Sequence, residues 1–366
     1  MKRPLIQIYR SCLLAALLSL VAGCLAEPDY GEPPDLTRFN DTLTGECQPY
    51  TQSSIYRGRD NTLILNPQSD WIAAIENASP GTEILLDDGD YELNQYAVRV
   101  RSAVTIRSLN ADRERVRIRG MGYDTNSEGF MILGNDITIA DLSIADIRNH
   151  AVSVKPDTGA MQGLQLYNLD IRDIGTQHIK VSPGGARNGL IACSSIGYSA
   201  GGAVGDYNGA IDLHDTIDWT VRDNFIYNIT GDGSGCIVDQ DCGQYTSAPA
   251  ILAWNGASGT RIIANTIVDS YRNIALSIGT SHTGGAILHN DIRQSMAGDA
   301  GIELFGVNDL VVEFNTVELS GRYPGTIEYR ASNNLTITNN WLSRRPWNRG
   351  GNNSIEVSGN AFQVIR

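Results

Sequence analysis

The stretch NGAIDLHDTIDW, residues 208–219, sets Asp212, His214 and Asp215 into an otherwise apolar run, in a chain of 366 residues with five histidines. Upstream, HIKVSP (178–183) carries His178 and Lys180 in a similar setting. An ammonium, an imidazole and a carboxylate are the groups that proton chemistry next to an acyl carbon requires. The cation offsets developing negative charge, and a base and an acid move the proton. Histidine titrates near neutrality, and a lysine can serve as base where a crowded site depresses its pKa. Lys180 and Asp212 are far apart in sequence, so only a repeating architecture can make them neighbours.

Such a repeat runs from residue 100 onward. The frame apolar-x-x-[Asn/Leu/Ser]-x-apolar recurs as ITIADLSI, LQLYNLDI, RIIANTI, AILHNDI and LVVEFNTV, among others. Its fourth position falls on Leu142, Leu169, Ser194, Asn224, Asn265, Asn290, Asn315, Asn340 and Asn360, with steps clustered near 25 residues. Short β-rich runs and Gly/Asn/Asp turns at that step indicate a solenoid with one coil per repeat. Asparagines at one place in consecutive coils can stack their amides into a ladder, as in cross-β stacks. The expected fold is all-β, a single-stranded right-handed parallel β-helix over 61–366. WIAAIENASPGTEILLDDGDYEL (71–93) predicts a short amphipathic helix, a Pro-Gly turn and a first strand. That helix would form an N-terminal cap over exposed strand edges.

About ten residues after most ladder positions comes a second strand: AVSVKP, HIKVSP, AIDLHD, AILAWN, NIALSIG, GIELFG and TIEYRA. Side chains alternate along a strand, so the Val/Ile/Leu positions point into the coil and their neighbours point out. The outward residues form two columns. One runs Ser153, Lys180, Asp212, Leu252, Ala275, Glu303, Glu328, and the other Lys155, Ser182, His214, Trp254, Ser277, Phe305, Arg330. With adjacent strands about 4.8 Å apart, Lys180 lies beside Asp212, with His214, His178 and Trp254 close by. Asp215 falls in the turn at the strand end. The alternative is a solvated face with a cross-strand ion pair of modest worth. Against it stand the clustering over three coils and the long segments GYSAGGAVGDY and CIVDQDC on either side, since loops longer than a coil needs commonly wall a cleft.

Uronic-acid polymers suit this set. A cation neutralises the carboxylate, a base takes the C5 proton, and an acid serves the leaving oxygen or returns a proton to C5. Trp254 offers a plate for a sugar ring or covers the coil surface. The helix-then-strand entrance resembles that of pectate-lyase-like β-helix enzymes, including the chondroitinase B and alginate lyase group. Asp212-Leu213-His214-Asp215 resembles the Asp-Pro-His-Asp/Glu motif of mannuronan C5-epimerases, which are right-handed β-helices with a functional lysine one coil earlier, where Lys180 lies. Leu213 replaces the proline, and Gly209 stands where a tyrosine is expected, with Tyr207 as its substitute. The resemblance implies catalytic roles for Lys180, Asp212 and His214; His178 joins them from its place on the same face. Further substrate contacts are expected from Trp254, Asp215, Tyr207, Arg272, Glu303 and Arg330. Glu303 and Glu328 also suit a hydrolase pair or a cation site, so calcium stays open as a cofactor; no other metal or cofactor is expected. His282 and His289 read as loop and surface residues, and His150 as a turn residue.

The formal net charge of -13 argues against a general nucleic-acid binder. MKRPLIQIYRSCLLAALLSLVAGC is a basic, then apolar leader too short to span a bilayer comfortably. Its Val21-Ala22-Gly23-Cys24 resembles a bacterial lipobox, implying a signal peptide over 1–23, a lipid on Cys24 and an outer-membrane lipoprotein of the cell envelope. Residues 24–60 read as a tether or loosely ordered lead-in. Four further cysteines remain, allowing three full pairings, and Cys236 with Cys242 would staple a loop. The leading expectation is a monomeric polysaccharide lyase that eliminates across C4–C5 of a uronate in an acidic polysaccharide. A C5-epimerase follows closely, then a β-helix glycoside hydrolase, then a non-catalytic carbohydrate-binding or adhesin solenoid.

Overall fold

Each coil turns on the same local event. Asp141, Asn168, Cys193, Asp223, Ala264, His289, Phe314 and Asn339 all adopt φ between 51° and 57°. The residue after each is the ladder residue, from Leu142 to Asn340. Asn and Asp tolerate this left-handed conformation through their short polar side chains, whereas Ala264 and Phe314 adopt it at a steric cost. The ladder offsets that cost. Asn224, Asn265, Asn290, Asn315 and Asn340 each donate Nδ2–H to the Oδ1 of the next asparagine at 2.9 Å, ending on Asn360. The same Oδ1 atoms also accept a backbone N–H from the preceding coil at 2.9–3.1 Å. Amides buried in this way leave few unpaired polar atoms inside the turn.

The computed structural model describes residues 47–156, 159–182, 184–199, 208–231 and 247–362. Among them, the strands form three parallel sheets of 13, 10 and 11 strands. Each coil passes from the 13-stranded to the 11-stranded and then to the 10-stranded sheet, the winding of a right-handed parallel β-helix. Apolar residues line its inside in rows. Val152, Ile179, Ile211, Ile251, Ile274, Ile302 and Ile327 pair in register along the 10-stranded sheet and are buried. Burial of each such side chain is worth about 1.5–3 kcal/mol, and a one-residue slip would expose the whole row.

The expected helix is Trp71–Glu76. Asp70 caps it by accepting the Ala73 N–H, and Trp71, Ile72 and Ile75 are buried. Glu76 Oε1 accepts the Arg99 N–H at 3.0 Å, which occupies an amide of the terminal strand Val98–Val100. From Cys47 onward the lead-in is packed and not loose. Cys47 is disulfide-bonded to Cys193. Tyr50 is fully buried, its N–H on the Asp141 carboxylate at 3.1 Å and its hydroxyl on Gln165 Oε1 at 3.0 Å. Arg57 and Arg59 reach the Gly163 and Asp136 carbonyls, so this strap runs back across successive coils to the first strand, Asn61–Leu65. The leader, Cys24, Tyr207 and the Cys236–Cys242 loop lie outside the described residues. Among the described residues no helix is long and apolar enough to cross a membrane.

Candidate functional site

Three consecutive strands of the 10-stranded sheet build the centre: Gln177–Val181, Gly209–His214 and Ile251–Trp254. Their register places Lys180 opposite Asp212, Asp212 opposite Leu252 and His214 opposite Trp254. The inward Ile and Val residues fix this register, and the outward residues then meet side by side.

Asp212 is the hub. Its Oδ2 accepts from Lys180 Nζ at 3.0 Å and from His214 Nε2 at 3.1 Å, and its Oδ1 accepts from Trp254 Nε1 at 2.9 Å. Burial pushes the Asp212 carboxyl up, but the His214 hydrogen bond and the Lys180 charge outweigh that and hold it below the ordinary carboxylate range. Its side chain is 4% exposed, against 15% for Lys180 and for His214, so solvent and ligand meet the two proton-bearing groups more than the carboxylate. The Trp254 ring stands edge-on to His214 at 4.5 Å. On the far side of the imidazole, Asn255 Nδ2 lies 3.0 Å from Nδ1. With that amide hydrogen donated, Nδ1 is the acceptor and Nε2–H donates to Asp212. Asn255 went unpredicted. It follows Trp254 at the strand end with φ 56°, a conformation that asparagine favours, and that turn position is the signal a sequence carries.

His178 does not join the cluster. It is fully buried, with Nδ1 2.9 Å from the Gly209 carbonyl and Nε2 3.2 Å from that of Gly197, and packs edge-on against Tyr198 at 4.9 Å. Burial pushes its pKa down while the two carbonyls, as acceptors of ring N–H, push it up, and the ring sits between two backbone segments instead of in the cluster. Asp215 is exposed in its turn at φ 46°, and a methyl group on Gly184 would fall 2.0 Å from its Oδ2, so it packs between neighbouring turns. His282, expected in a surface loop, is buried and hydrogen-bonds Thr260 Oγ1 at 3.1 Å. A second unpredicted group is Glu128, buried just before the strand Phe130–Ile132 and held by Ser153 Oγ at 2.6 Å, Lys155 Nζ at 2.5 Å and Tyr96 OH at 3.1 Å.

Arg272, Glu303 and Arg330 sit in a separate network further along the same sheet. Glu303 is clasped by Arg272 and by Arg330 at 3.1 Å, and Arg330 also lies 4.0 Å over the Phe305 ring. Glu328 is fully buried and accepts from Tyr323 OH and from Arg349 at 2.8 Å. Glu303 and Glu328 do stack on adjacent coils, but their oxygens are engaged by arginines, the positive charge that a cation site would otherwise supply. Among the described residues no group of three or more His, Cys, Asp or Glu side chains is placed to hold a metal ion.

No family model and no curated relative matches the chain. Solved structures do. The A-module of a mannuronan C-5 epimerase of Azotobacter vinelandii superposes with a TM-score of 0.57 at 11% identity, covering 79% of this chain and 76% of that one. An alginate lyase from Paenibacillus sp. gives 0.56 at 16% identity, covering 82% and 99%. A second A. vinelandii mannuronan C-5 epimerase A-module gives 0.50 at 10%, covering 82% and 95%. The likeness is one of fold. The structural neighbours include both an alginate lyase and mannuronan epimerases, and a shared fold leaves function to the site.

Proposed function

We propose that this protein acts at C5 of a uronate within an acidic polysaccharide and cleaves the chain by β-elimination. The observation that carries the reading is the convergence of Lys180 and His214 on a buried, ionised Asp212. In this mechanism the Lys180 ammonium lies against the substrate carboxylate and offsets the charge that builds as C5 is deprotonated. His214 takes the C5 proton at Nδ1 once the sugar displaces the Asn255 amide. The C5–H electron pair becomes the C4=C5 double bond, the C4–O4 bond breaks, and the proton on His214 passes to O4, which restores the starting imidazole. Asp212 holds Nε2–H throughout and stabilises the imidazolium. Among the described residues the proton-carrying groups of the centre rise from one sheet face, which suits a uronate whose C5 hydrogen and O4 lie on the same side of the ring.

A second reading is C5 epimerisation, favoured by the sequence Asp212-Leu213-His214-Asp215 with Lys180 one coil earlier. It needs a proton donor on the opposite side of the sugar, and Tyr207 is the sequence candidate. Both readings take support from the neighbours, which are named as alginate lyases and mannuronan epimerases. Hydrolysis takes less support, because Asp212, one of the carboxyls it would use, is buried and has its oxygens engaged by Lys180, His214 and Trp254. Incubation with alginate, polygalacturonate and glycosaminoglycans separates these outcomes. New ultraviolet absorbance marks elimination, deuterium uptake at C5 without depolymerisation marks epimerisation, and new reducing ends without absorbance mark hydrolysis. No change with any polymer would refute the catalytic reading. The proposed address is the bacterial outer membrane through a lipid on Cys24, and it fails if Cys24→Ser leaves fatty-acid labelling and membrane fractionation unchanged.

A further inference from the structure

Beyond Asp212 the outward column continues through Leu252, Ala275 and Glu303 to Glu328, four coils or about 19 Å along the solenoid. There the segments leading from the 11-stranded into the 10-stranded sheet spread around a cavity of about 750 Å³. That volume suits a small ligand or one portion of a polymer. Its lining differs in character from the rest of the chain. Trp347 and Tyr323 meet edge-to-face at 5.9 Å, and the Arg349 guanidinium lies 4.8 Å over the Trp347 ring. A methyl group on Gly325 would fall 2.6 Å from Trp347 Cβ, so the glycine lets the indole come in against the preceding coil.

Charge sets the ligand class. Glu328, the carboxylate beneath this lining, is paired with Arg349 and accepts a hydrogen bond from Tyr323. Asp299 lies 3.4 Å from Arg272. Arg322 lines the cavity, is exposed, and forms no ion pair with a carboxylate among the described residues. Cations thus outnumber carboxylates along this lining, in a chain whose net charge is -13. An aromatic wall beside arginines fits a ring that is apolar on one face and carries a carboxylate at its edge.

We propose that this cavity is an accessory subsite for a second uronate unit of the same chain, its ring against Trp347 and Tyr323 and its carboxylate on Arg322. The assignment rests on the acidic-polysaccharide reading above and adds selection for long chains. A unit bound here is several sugars from the bond at Lys180 and His214, so short oligomers that occupy the centre cannot reach it.

The test is gel retardation of the full chain in alginate and in polygalacturonate, with dextran as the neutral control, alongside kinetics on polymer and on trimers. Trp347→Ala and Arg322→Ala should each weaken retardation by about tenfold in apparent affinity for the acidic polymer and raise its KM to match. The preference for polymer over trimer should fall by the same factor. Arg293→Ala, on a different sheet and paired with Asp291, controls for lost positive charge and should keep the parent retardation. Arg322 is exposed, so its variant tests the site even if Trp347→Ala fails to fold. Parent-like retardation of Arg322→Ala, or an equal loss in Arg293→Ala, overturns the subsite. Retardation that depends on Arg322 without any turnover would sink the catalytic reading and leave the subsite standing. Turnover with unaltered chain-length preference in Arg322→Ala would do the reverse.

Discussion

Replacing Asp212 by asparagine tests the centre most directly, because it keeps the shape and removes the charge. The wild-type carboxylate accepts from Lys180 at 3.0 Å, His214 at 3.1 Å and Trp254 at 2.9 Å. An asparagine carbonyl can keep the Trp254 bond, but its amide then points N–H at two donors. Lys180, 15% exposed, is left with a charge that has lost this partner. Removing one member of such a buried pair costs about 3–5 kcal/mol, and the access of Lys180 to solvent moves the expectation to about 2–4 kcal/mol. Loss of the group that accepts from His214 Nε2 should also lower kcat by about 10²–10³-fold, the scale on which single preorganised partners act. Melting curves against pH supply the sharper readout. The folded carboxyl of Asp212 lies below its unfolded value, so its stabilisation is complete above about pH 4 and is lost as pH falls through the lower folded value. The melting-temperature gap between wild type and Asp212→Asn should therefore narrow as pH falls below about 4. A gap that persists unchanged into acid, or activity within threefold of wild type, would refute Asp212 as the ionised anchor.

Other parts of the structure give further expectations. Asn255→Ala frees His214 Nδ1 and should shift the pH–rate profile and lower kcat by about tenfold with folding intact, whereas Asn255→Gln should recover part of it. Cys193→Ser opens a link spanning 146 residues, and a loss of about 2–4 kcal/mol is expected, read as a lower melting temperature and earlier proteolytic nicking within 47–60. Asn290→Leu breaks the amide ladder and takes the acceptor from the buried Asn265 backbone N–H, while the Asn265 amide keeps the Val221 and Ile263 carbonyls; about 1–3 kcal/mol should be lost by denaturant unfolding. If Asn290→Leu is as stable as wild type, the ladder is a by-product of the coil and not one of its supports.

What the sequence revealed and what it hid divide along a physical line. The column Ser153–Lys180–Asp212–Leu252–Ala275–Glu303–Glu328 emerged in register because the inward rows tolerate only apolar side chains, and one misplaced residue would bury Lys180 or Asp212 in the core. Alternation, however, assigns a side and not a depth. His178 shares the face of Lys180, yet Tyr198 and the carbonyls of Gly197 and Gly209 close over it, contacts contributed by a neighbouring sheet and the next coil. The same gap hid the arginine clasp on Glu328, whose partner Arg349 arrives 21 residues later. It also hid the strap, where Tyr50 meets Asp141 and Gln165 across about a hundred residues of chain. Periodic contacts are encoded once per coil and so can be read by counting, whereas these contacts occur once and depend on which irregular segment lies on which coil. Asn255 sits at the border between the two classes. Its position at the strand end is periodic, but its bond to His214 depends on the left-handed turn that swings the amide back over the preceding coil. The chemistry assigned to this centre rests on that border, because the register brings Lys180, Asp212 and His214 together while a single irregular residue covers the imidazole nitrogen that would take the proton.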